Sequence, residues 1–424
     1  MPGPIVIIGA GQAGVQIAES LRHEKYDGPI TLLGAEGYGP YNRPPLSKKW
    51  LLERGPVASL AIRSLEVLER RRIDLHTRTT ASAIDRAARS VTCADGTRYE
   101  YGGLALATGA RLRALPVPGA NLRNVLGLRT LDDAQRIGEA LDACVAAGRP
   151  LVVIGGGFIG LEVAATARKR GIAVTVLEGL DRLMSRVVAP IVSEAAARLH
   201  RSHGVELVFG ARVTELVGDK NAGAGAGASG GVGDGAVQAV RMADGREYPA
   251  ACVIVGVGVE PEDALARTAG LECDRGIVVD ACARTSDPQI VAAGDCCARR
   301  AGDGRLLRLE SVQNAVEQGM AAAASLLGLS RPLKSAPWFW SDQYDVRLQM
   351  VGLSQGYEEV VTRGDVAQHA FSAFYFRGGR LLAVDSLNHS HYHMLARKLL
   401  DRGLSPTPAQ AADENFNLQS LLAA

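Results

Sequence analysis

Ile5-Val6-Ile7-Ile8-Gly9-Ala10-Gly11-Gln12-Ala13-Gly14 is the stretch that decides the fold. An apolar run over residues 4–8 enters a G-x-G-x-x-G turn, and residues 11–23 continue with helical periodicity. In such a turn Gly9 permits the tight bend, Gly11 lets a pyrophosphate approach the backbone, and Gly14 allows helix and strand to pack closely. The helix N-terminus adds unpaired N–H donors and a positive field. The motif alone is weak, but between a strand and a helix it predicts a dinucleotide site.

The same device recurs at Gly155-Gly156-Gly157-Phe158-Ile159-Gly160, after an apolar run over 151–154 and before a helical pattern over 157–170. The next strand ends at Glu178, 23 residues beyond Gly155, where a carboxylate can accept hydrogen bonds from ribose hydroxyls. Gly179 and Leu180 follow it, not an arginine. A 2′-phosphate would be repelled, so NADH is expected rather than NADPH. Two such sites imply two dinucleotides, and FAD with NAD(H) is the economical pair. Gly256 and Gly258 sit in a turn beside the second site, as do Ala107-Thr108-Gly109 and Gly294-Asp295 beside the first. Asp295 either holds ribityl hydroxyls or caps the next turn.

Outward from these turns, apolar runs at 30–33, 104–107, 173–177, 252–257 and 290–293 alternate with helical stretches such as 312–327. That is the pattern of parallel sheets covered on both faces. After Gly328 it changes: 371–376 and 381–387 flank Arg377-Gly378-Gly379-Arg380 as an antiparallel hairpin, followed by a helix over 391–400 and a polar tail. The expected fold class is α/β, with two Rossmann-like dinucleotide-binding domains (FAD and NAD) plus a smaller C-terminal α+β domain. The FAD-binding domain is discontinuous, residues 1–118 and 252–329; the NAD-binding domain is 119–251 and the C-terminal domain 330–424.

Composition mainly excludes. The chain has 424 residues, room for about three domains. With 47% apolar and 22% charged residues it is neither disordered nor collagen-like. No apolar run approaches the ~18 residues of a membrane helix, and no signal peptide is visible, so a cytoplasmic protein without a membrane partner is expected. A net charge of +2 is too mild to argue for nucleic acid. Seven cysteines with no CxxC give neither a disulfide framework nor a cysteine zinc site, and no metal site is expected. Glycine stands at 49 where average usage predicts about 30. The surplus lies in turns beside the two sites and in residues 218–236, where eight of nineteen are glycine; that segment reads as a flexible surface loop.

Six segments carry a family resemblance: Pro40-Tyr41-Asn42-Arg43-Pro44-Pro45-Leu46-Ser47-Lys48, Leu128-Arg129-Thr130-Leu131-Asp132-Asp133-Ala134, Gly157-Phe158-Ile159-Gly160-Leu161-Glu162, Ala293-Gly294-Asp295, Glu310-Ser311-Val312-Gln313-Asn314-Ala315 and Pro337-Trp338-Phe339-Trp340-Ser341-Asp342. With them almost the whole chain resembles the FAD-dependent ferredoxin reductases of bacterial oxygenase systems. The resemblance implies that Arg43, Lys48, Arg129, Asp295 and Val312 contact FAD. It implies a Lys48–Glu162 ion pair beside the flavin, with Glu162 also receiving the nicotinamide carboxamide and Trp340 close to the isoalloxazine. Electrons from NADH would pass through the flavin to a [2Fe-2S] ferredoxin, an acidic protein partner that feeds a cytochrome P450 or ring-hydroxylating oxygenase. The chain would be a monomer or homodimer. It departs from the family at Ala35, where an acid usually holds the adenine ribose; either Glu36 substitutes or that hydrogen bond is missing. Related disulfide reductases carry a cysteine pair where residues 38–52 here have none, so that chemistry is excluded.

Other features keep two readings. Cys296-Cys297 is a redox pair or two small packed side chains. His389, His391 and His393 are metal donors or exposed histidines; Arg70–Arg72 and Arg299, Arg300, Arg305, Arg308 are solvated faces or a docking surface for an acidic ferredoxin. Rival functions are a rubredoxin reductase or NADH oxidase on the same scaffold, and an NADH-regulated interaction flavoprotein like apoptosis-inducing factor.

Overall fold

A computed structural model describes residues 3–218, 233–301 and 304–423. The chain divides into two compact units. The first comprises Met1–Asn42, Pro56–Arg111 and Val259–Pro337, the second Arg43–Gly55, Leu112–Gly258 and Trp338–Ala424.

In the first unit five parallel strands stand in the order Ile290–Ala292, Gly103–Leu106, Ile5–Ile8, Ile30–Leu33, Ile73–His76. Ile5–Ile8 and Gly103–Leu106 are buried at every residue, which is why their sequences run apolar without alternation. Helices Gln12–His23 and Val312–Leu326 pack against one another, with Ala321–Ala324 all at 2% exposure or less. Strand order reverses at Ile5–Ile8: the next strand in the chain lies on one side and Gly103–Leu106 on the other. The carboxyl ends of strands at such a point form a ligand crevice, and the first glycine turn opens into it.

The second unit repeats this logic with parallel strands Val125–Leu126, Cys252–Val255, Leu151–Ile154, Val174–Leu177 and Val205–Val208. It also holds an antiparallel sheet ordered Trp338–Gln343, Val346–Gly352, Arg380–Leu387, Ala370–Arg377, Glu359–Asp365, against which helix Ser390–Asp401 packs. The expected hairpin is present: Arg377 pairs with Arg380, and Gly378 and Gly379 take φ of 54° and 72°, the values of a tight primed turn. The α/β class, with two Rossmann-like sheets and a C-terminal α+β portion, is the observed architecture.

Two expectations are corrected. The ends of the glycine-rich 218–236 segment are strand, not loop: Gly218 closes Val213–Gly218 and residues 233–236 begin Gly233–Met242. Ladder pairing uses only backbone groups, and buried Val237, Val240 and Met242 anchor the strand. Residues 219–232, on which the rest of that expectation falls, lie outside the described residues. The polar tail is also structured, as helix Pro408–Ala412 and the 3-10 turn Leu418–Leu422. Arg363, 4% exposed, donates to the carbonyls of Gln410, Ala411, Glu414 and Phe416 and lies 4.9 Å over the Tyr392 ring. A buried guanidinium needs acceptors, and the tail supplies them to both terminal nitrogens.

Candidate active site

The first glycine turn is shaped by what surrounds it. A Cβ on Gly9 would lie 2.1 Å from the Ala107 carbonyl oxygen, and one on Gly14 would lie 1.9 Å from that of Gly9. Gly11 differs: nothing lies within 4 Å of its would-be Cβ. Two glycines therefore hold strand and helix together, and the third faces open space at a helix N-terminus that has no side-chain cap. This is the cradle a pyrophosphate requires. Gly294, at φ 89°, has its N–H held by Gln318 at 2.7 Å and presents Asp295 beyond strand Ile290–Ala292. Val312 is the first residue of helix Val312–Leu326, whose N-terminus Ser311 caps through the Asn314 N–H. Glu36 stands three residues beyond Ile30–Leu33, and its carboxylate accepts the Tyr41 hydroxyl. Thr108 donates to the Glu262 carbonyl at 2.5 Å, tying its turn to a segment 154 residues further along the chain.

In the second unit the pattern is the same. A Gly155 Cβ would meet the Gly256 oxygen at 2.5 Å and a Gly160 Cβ the Gly155 oxygen at 2.4 Å, while Gly157 again faces nothing within 4 Å. Gly258, at φ 104°, has equally open surroundings. Glu178 turns back onto the turn, its Oε2 accepting the Gly156 N–H at 2.6 Å and its Oε1 the Leu180 N–H at 2.7 Å. Phe158 rests on Phe339 with ring centres 4.7 Å apart, and Ile159 is 41% exposed. The residues of both cradles fit a bound dinucleotide.

Lys48, Glu162 and Trp340 come together on one cavity of about 460 Å³ within the second unit, with Pro44, Pro45 and Lys169 among its other walls. The Lys48 ammonium is 2.7 Å from Glu162 Oε2. Glu162 is 4% exposed and accepts two hydroxyls besides, Ser47 at 2.5 Å on Oε2 and Ser341 at 2.7 Å on Oε1. A buried carboxylate needs this many donors to offset its lost hydration. Thr166, one turn along the helix from Glu162, donates to the Ser47 carbonyl at 2.8 Å and fixes the segment that carries Lys48. Trp340 stacks obliquely on Trp338 at 5.6 Å. Arg43 donates to the Arg129 carbonyl at 2.6 Å, and Arg129 leads into a capping box in which Thr130 and Asp133 exchange hydrogen bonds. Ser47 and Ser341 lie inside the family segments, but neither was singled out from sequence, since a serine between larger motif residues carries no mark of its partner.

Other candidates resolve differently. Cys296 and Cys297 are at most 2% exposed with sulfurs 3.7 Å apart, and all seven cysteines are free. His393 is not exposed but 1% accessible, because its helix turns it to the sheet against the Trp338 ring. Among the described residues no group of three or more His, Cys, Asp or Glu is placed to hold a metal. Within the arginine clusters, Arg71 pairs with Glu19 at 3.2 Å, Arg300 with Glu272 at 2.7 Å and Arg308 with Glu310 at 2.8 Å. Among the described residues no helix is long and apolar enough to cross a membrane.

Two dinucleotide cradles and a half-buried cation paired with a buried carboxylate beside tryptophan belong to an oxidoreductase that uses FAD and a pyridine nucleotide. The chain belongs to the pyridine nucleotide-disulphide oxidoreductase family, which it matches over residues 3–319, followed by a reductase C-terminal domain over residues 338–422. Within that family it is similar to rhodocoxin reductase of Rhodococcus erythropolis, 46% identical over 99% of this chain and 94% of that protein. It is 40% identical to putidaredoxin reductase of Pseudomonas putida, over 99% of this chain and 97% of that protein. Among solved structures, the ferredoxin reductase for the CYP199A2 system of Rhodopseudomonas palustris aligns with a TM-score of 0.91 at 42% identity, covering 98% of this chain and 99% of that one. The covalent putidaredoxin reductase–putidaredoxin complex aligns at 0.92 and 40%, covering 99% and 98%.

Proposed function

We propose that this chain is an NADH-dependent ferredoxin reductase, working in the cytoplasm and delivering electrons to a [2Fe-2S] ferredoxin that serves a cytochrome P450 or a ring-hydroxylating oxygenase. The observation that carries the reading is full-length similarity to reductases named for their small redox-protein partners, one of them captured with that partner. The seven cysteines include no CxxC, so the acceptor's cluster belongs to another protein. The electron balance is one NADH to two ferredoxins, with release of NAD⁺ and a proton.

The proposed organisation is an FAD-binding domain of residues 1–118 and 252–329, an NAD-binding domain of 119–251 and a C-terminal domain of 330–424. Gly9, Gly11 and Gly14 cradle the FAD pyrophosphate; Glu36, Arg43, Arg129, Asp295 and Val312 hold the rest. Gly155, Gly157, Phe158, Ile159, Gly160 and Gly258 receive NADH, and Glu178 takes its ribose hydroxyls. Glu162 accepts the nicotinamide carboxamide, Lys48 contacts FAD and sets positive charge beside it, and Trp340 lies close to the isoalloxazine. Bound FAD supplies a ring that accepts two electrons together and releases them singly.

The test offers the purified flavoprotein NADH and a panel of acceptors: [2Fe-2S] ferredoxins, rubredoxin and oxygen. Fast reduction confined to the ferredoxins is expected. Preference for rubredoxin or oxygen, or a long-lived flavin–nicotinamide complex with negligible ferredoxin reduction, would overturn the reading. Raised ionic strength should slow ferredoxin turnover more than turnover of a small neutral acceptor.

A further inference from the structure

Behind Glu162 runs a buried polar chain that the proposed function does not use. Ser341 Oγ donates to Glu162 Oε1 at 2.7 Å, Gln343 Nε2 donates to Ser341 Oγ at 3.2 Å, and His200 Nε2 lies 2.9 Å from Gln343 Oε1. The polarity of the chain follows from its end. Glu162, as the ion-pair partner of Lys48, only accepts, so the single Ser341 proton points to it. Ser341 must then accept from the Gln343 amide nitrogen, which turns the amide oxygen to His200. His200 therefore carries its proton on Nε2, and every donor in the chain is directed toward Glu162.

The setting gives this arrangement weight. Ser341 and His200 are 0% exposed and Gln343 5%, and a cavity of only about 10 Å³ beside them is walled by Met184, Val192, Ala196, Leu199, Leu348 and Leu387. In such surroundings apolar side chains of similar volume would serve the fold as well or better. His200 even leaves Nδ1 without a hydrogen-bond partner, and burial depresses its pKa to about 4, so it stays neutral. Along strand Trp338–Gln343 alternate side chains take opposite sides: Trp340 and Asp342 wall the active-site cavity, and Ser341 and Gln343 form the chain.

We infer that Ser341 and Gln343, backed by His200 on helix Pro190–Ser202, are positioning residues that hold the Glu162 carboxylate in the orientation that receives the nicotinamide. Ser47 and Lys48 both bond Oε2, so Ser341 alone among these three fixes Oε1 and with it the rotation of the carboxylate plane. The inference rests on the proposed role of Glu162 at the nicotinamide.

The test is stopped-flow reduction of the FAD-loaded protein by NADH, with reduction by dithionite as the nicotinamide-independent control. Ser341→Ala is expected to lower the limiting rate with NADH about tenfold, to weaken the long-wavelength flavin–nicotinamide absorbance, and to leave the NADH dissociation constant within about twofold. Dithionite reduction should be unchanged. Ser341→Thr, which keeps the hydroxyl, should restore the rate, and Gln343→Met should show a smaller loss of the same kind, read also if Ser341→Ala fails to retain FAD. In a Glu162→Gln background, Ser341→Ala should add less than about twofold, because both changes act on one interaction. Wild-type rates in Ser341→Ala and Gln343→Met, or a Ser341 effect that multiplies fully with that of Glu162→Gln, would overturn the inference while leaving the Glu162 reading intact. A wild-type rate in Glu162→Gln would remove both.

Discussion

The carboxylate of Glu178 is tied to the turn it serves: Gly156 donates its N–H to Glu178 Oε2 at 2.6 Å, across 22 residues of sequence. With Leu180 bonded to the other oxygen, the acid is fixed at the end of strand Val174–Leu177 and keeps lone pairs for ribose hydroxyls. Glu178→Arg should therefore shift the ratio of kcat/KM for NADPH over NADH upward by at least about tenfold, since it replaces a repelling charge with one that pairs a 2′-phosphate. Steady-state kinetics with both coenzymes check this, and an unchanged ratio would show that Glu178 does not read the ribose.

The open surroundings of Gly11 and Gly157 allow the two cradles to be assigned separately. A valine at either position meets no protein atom near its Cβ, so the fold should survive. Gly11→Val is expected to give a folded protein that binds little FAD, and Gly157→Val one that keeps FAD and loses NADH affinity at least about tenfold. Circular dichroism, flavin absorbance after gel filtration and NADH titration distinguish these outcomes. Loss of FAD from Gly157→Val would reverse the assignment.

Lys48 supplies the positive member of the pair with Glu162, its side chain 19% exposed against 5% for the acid. Lys48→Ala leaves that carboxylate with the hydroxyls of Ser47 and Ser341 and removes the positive charge from the cavity. Single-turnover reduction by NADH should slow about 10–100-fold. A wild-type rate would count against a role for the charge.

Asp385 is 1% exposed and accepts the Tyr375 hydroxyl, which in turn accepts the Ala189 N–H at 2.9 Å. Burial raises its pKa to about 7. Between the unfolded value of about 4 and that figure the native protein holds a proton the unfolded chain has lost, so stability falls as pH rises through this window. Asp385→Asn keeps an acceptor for Tyr375 and does not titrate. Unfolding free energies extrapolated from urea titrations at pH 5 to 8 should show the wild type losing on the order of 3 kcal/mol relative to the variant. Parallel curves would refute it. His200 and His393, whose pKa values burial lowers to about 4, contribute the opposite slope equally in both proteins and cancel in the difference.

Much of this was legible in the residues because the signals that mark it are short in sequence. Gly9, Gly11 and Gly14 lie within one turn, and their spacing predicts the cradle even though the contact that requires Gly9 is with Ala107, on another strand. The same holds at Gly155–Gly160, and for the Arg377–Arg380 hairpin, whose two glycines supply the backbone angles the turn demands. Where the partner lies far off, the residues carry no mark of it. His393 belongs to an alternating histidine triplet that looks exposed, and only the sheet carrying Trp338 buries it. The polar tail after 401 gives no sign that Arg363, about fifty residues earlier, takes its carbonyls.

The sequence by itself determined two dinucleotide cradles, an α/β architecture and the absence of a redox cysteine pair in the segment leading to Lys48, because the spacing of glycines in a turn and the periodicity of apolar residues are read within short stretches of a chain. Only the tertiary structure decided what surrounds Glu162. Ser47 reaches it across 115 residues and Ser341 across 179, and His200 meets Gln343 across 143. No periodicity records such pairings, since a serine or glutamine looks the same in sequence whether it faces water or a buried carboxylate. They are set by which helices and strands pack together, and packing is decided by the summed apolar surface of whole elements and not by the polar residues that the packing encloses.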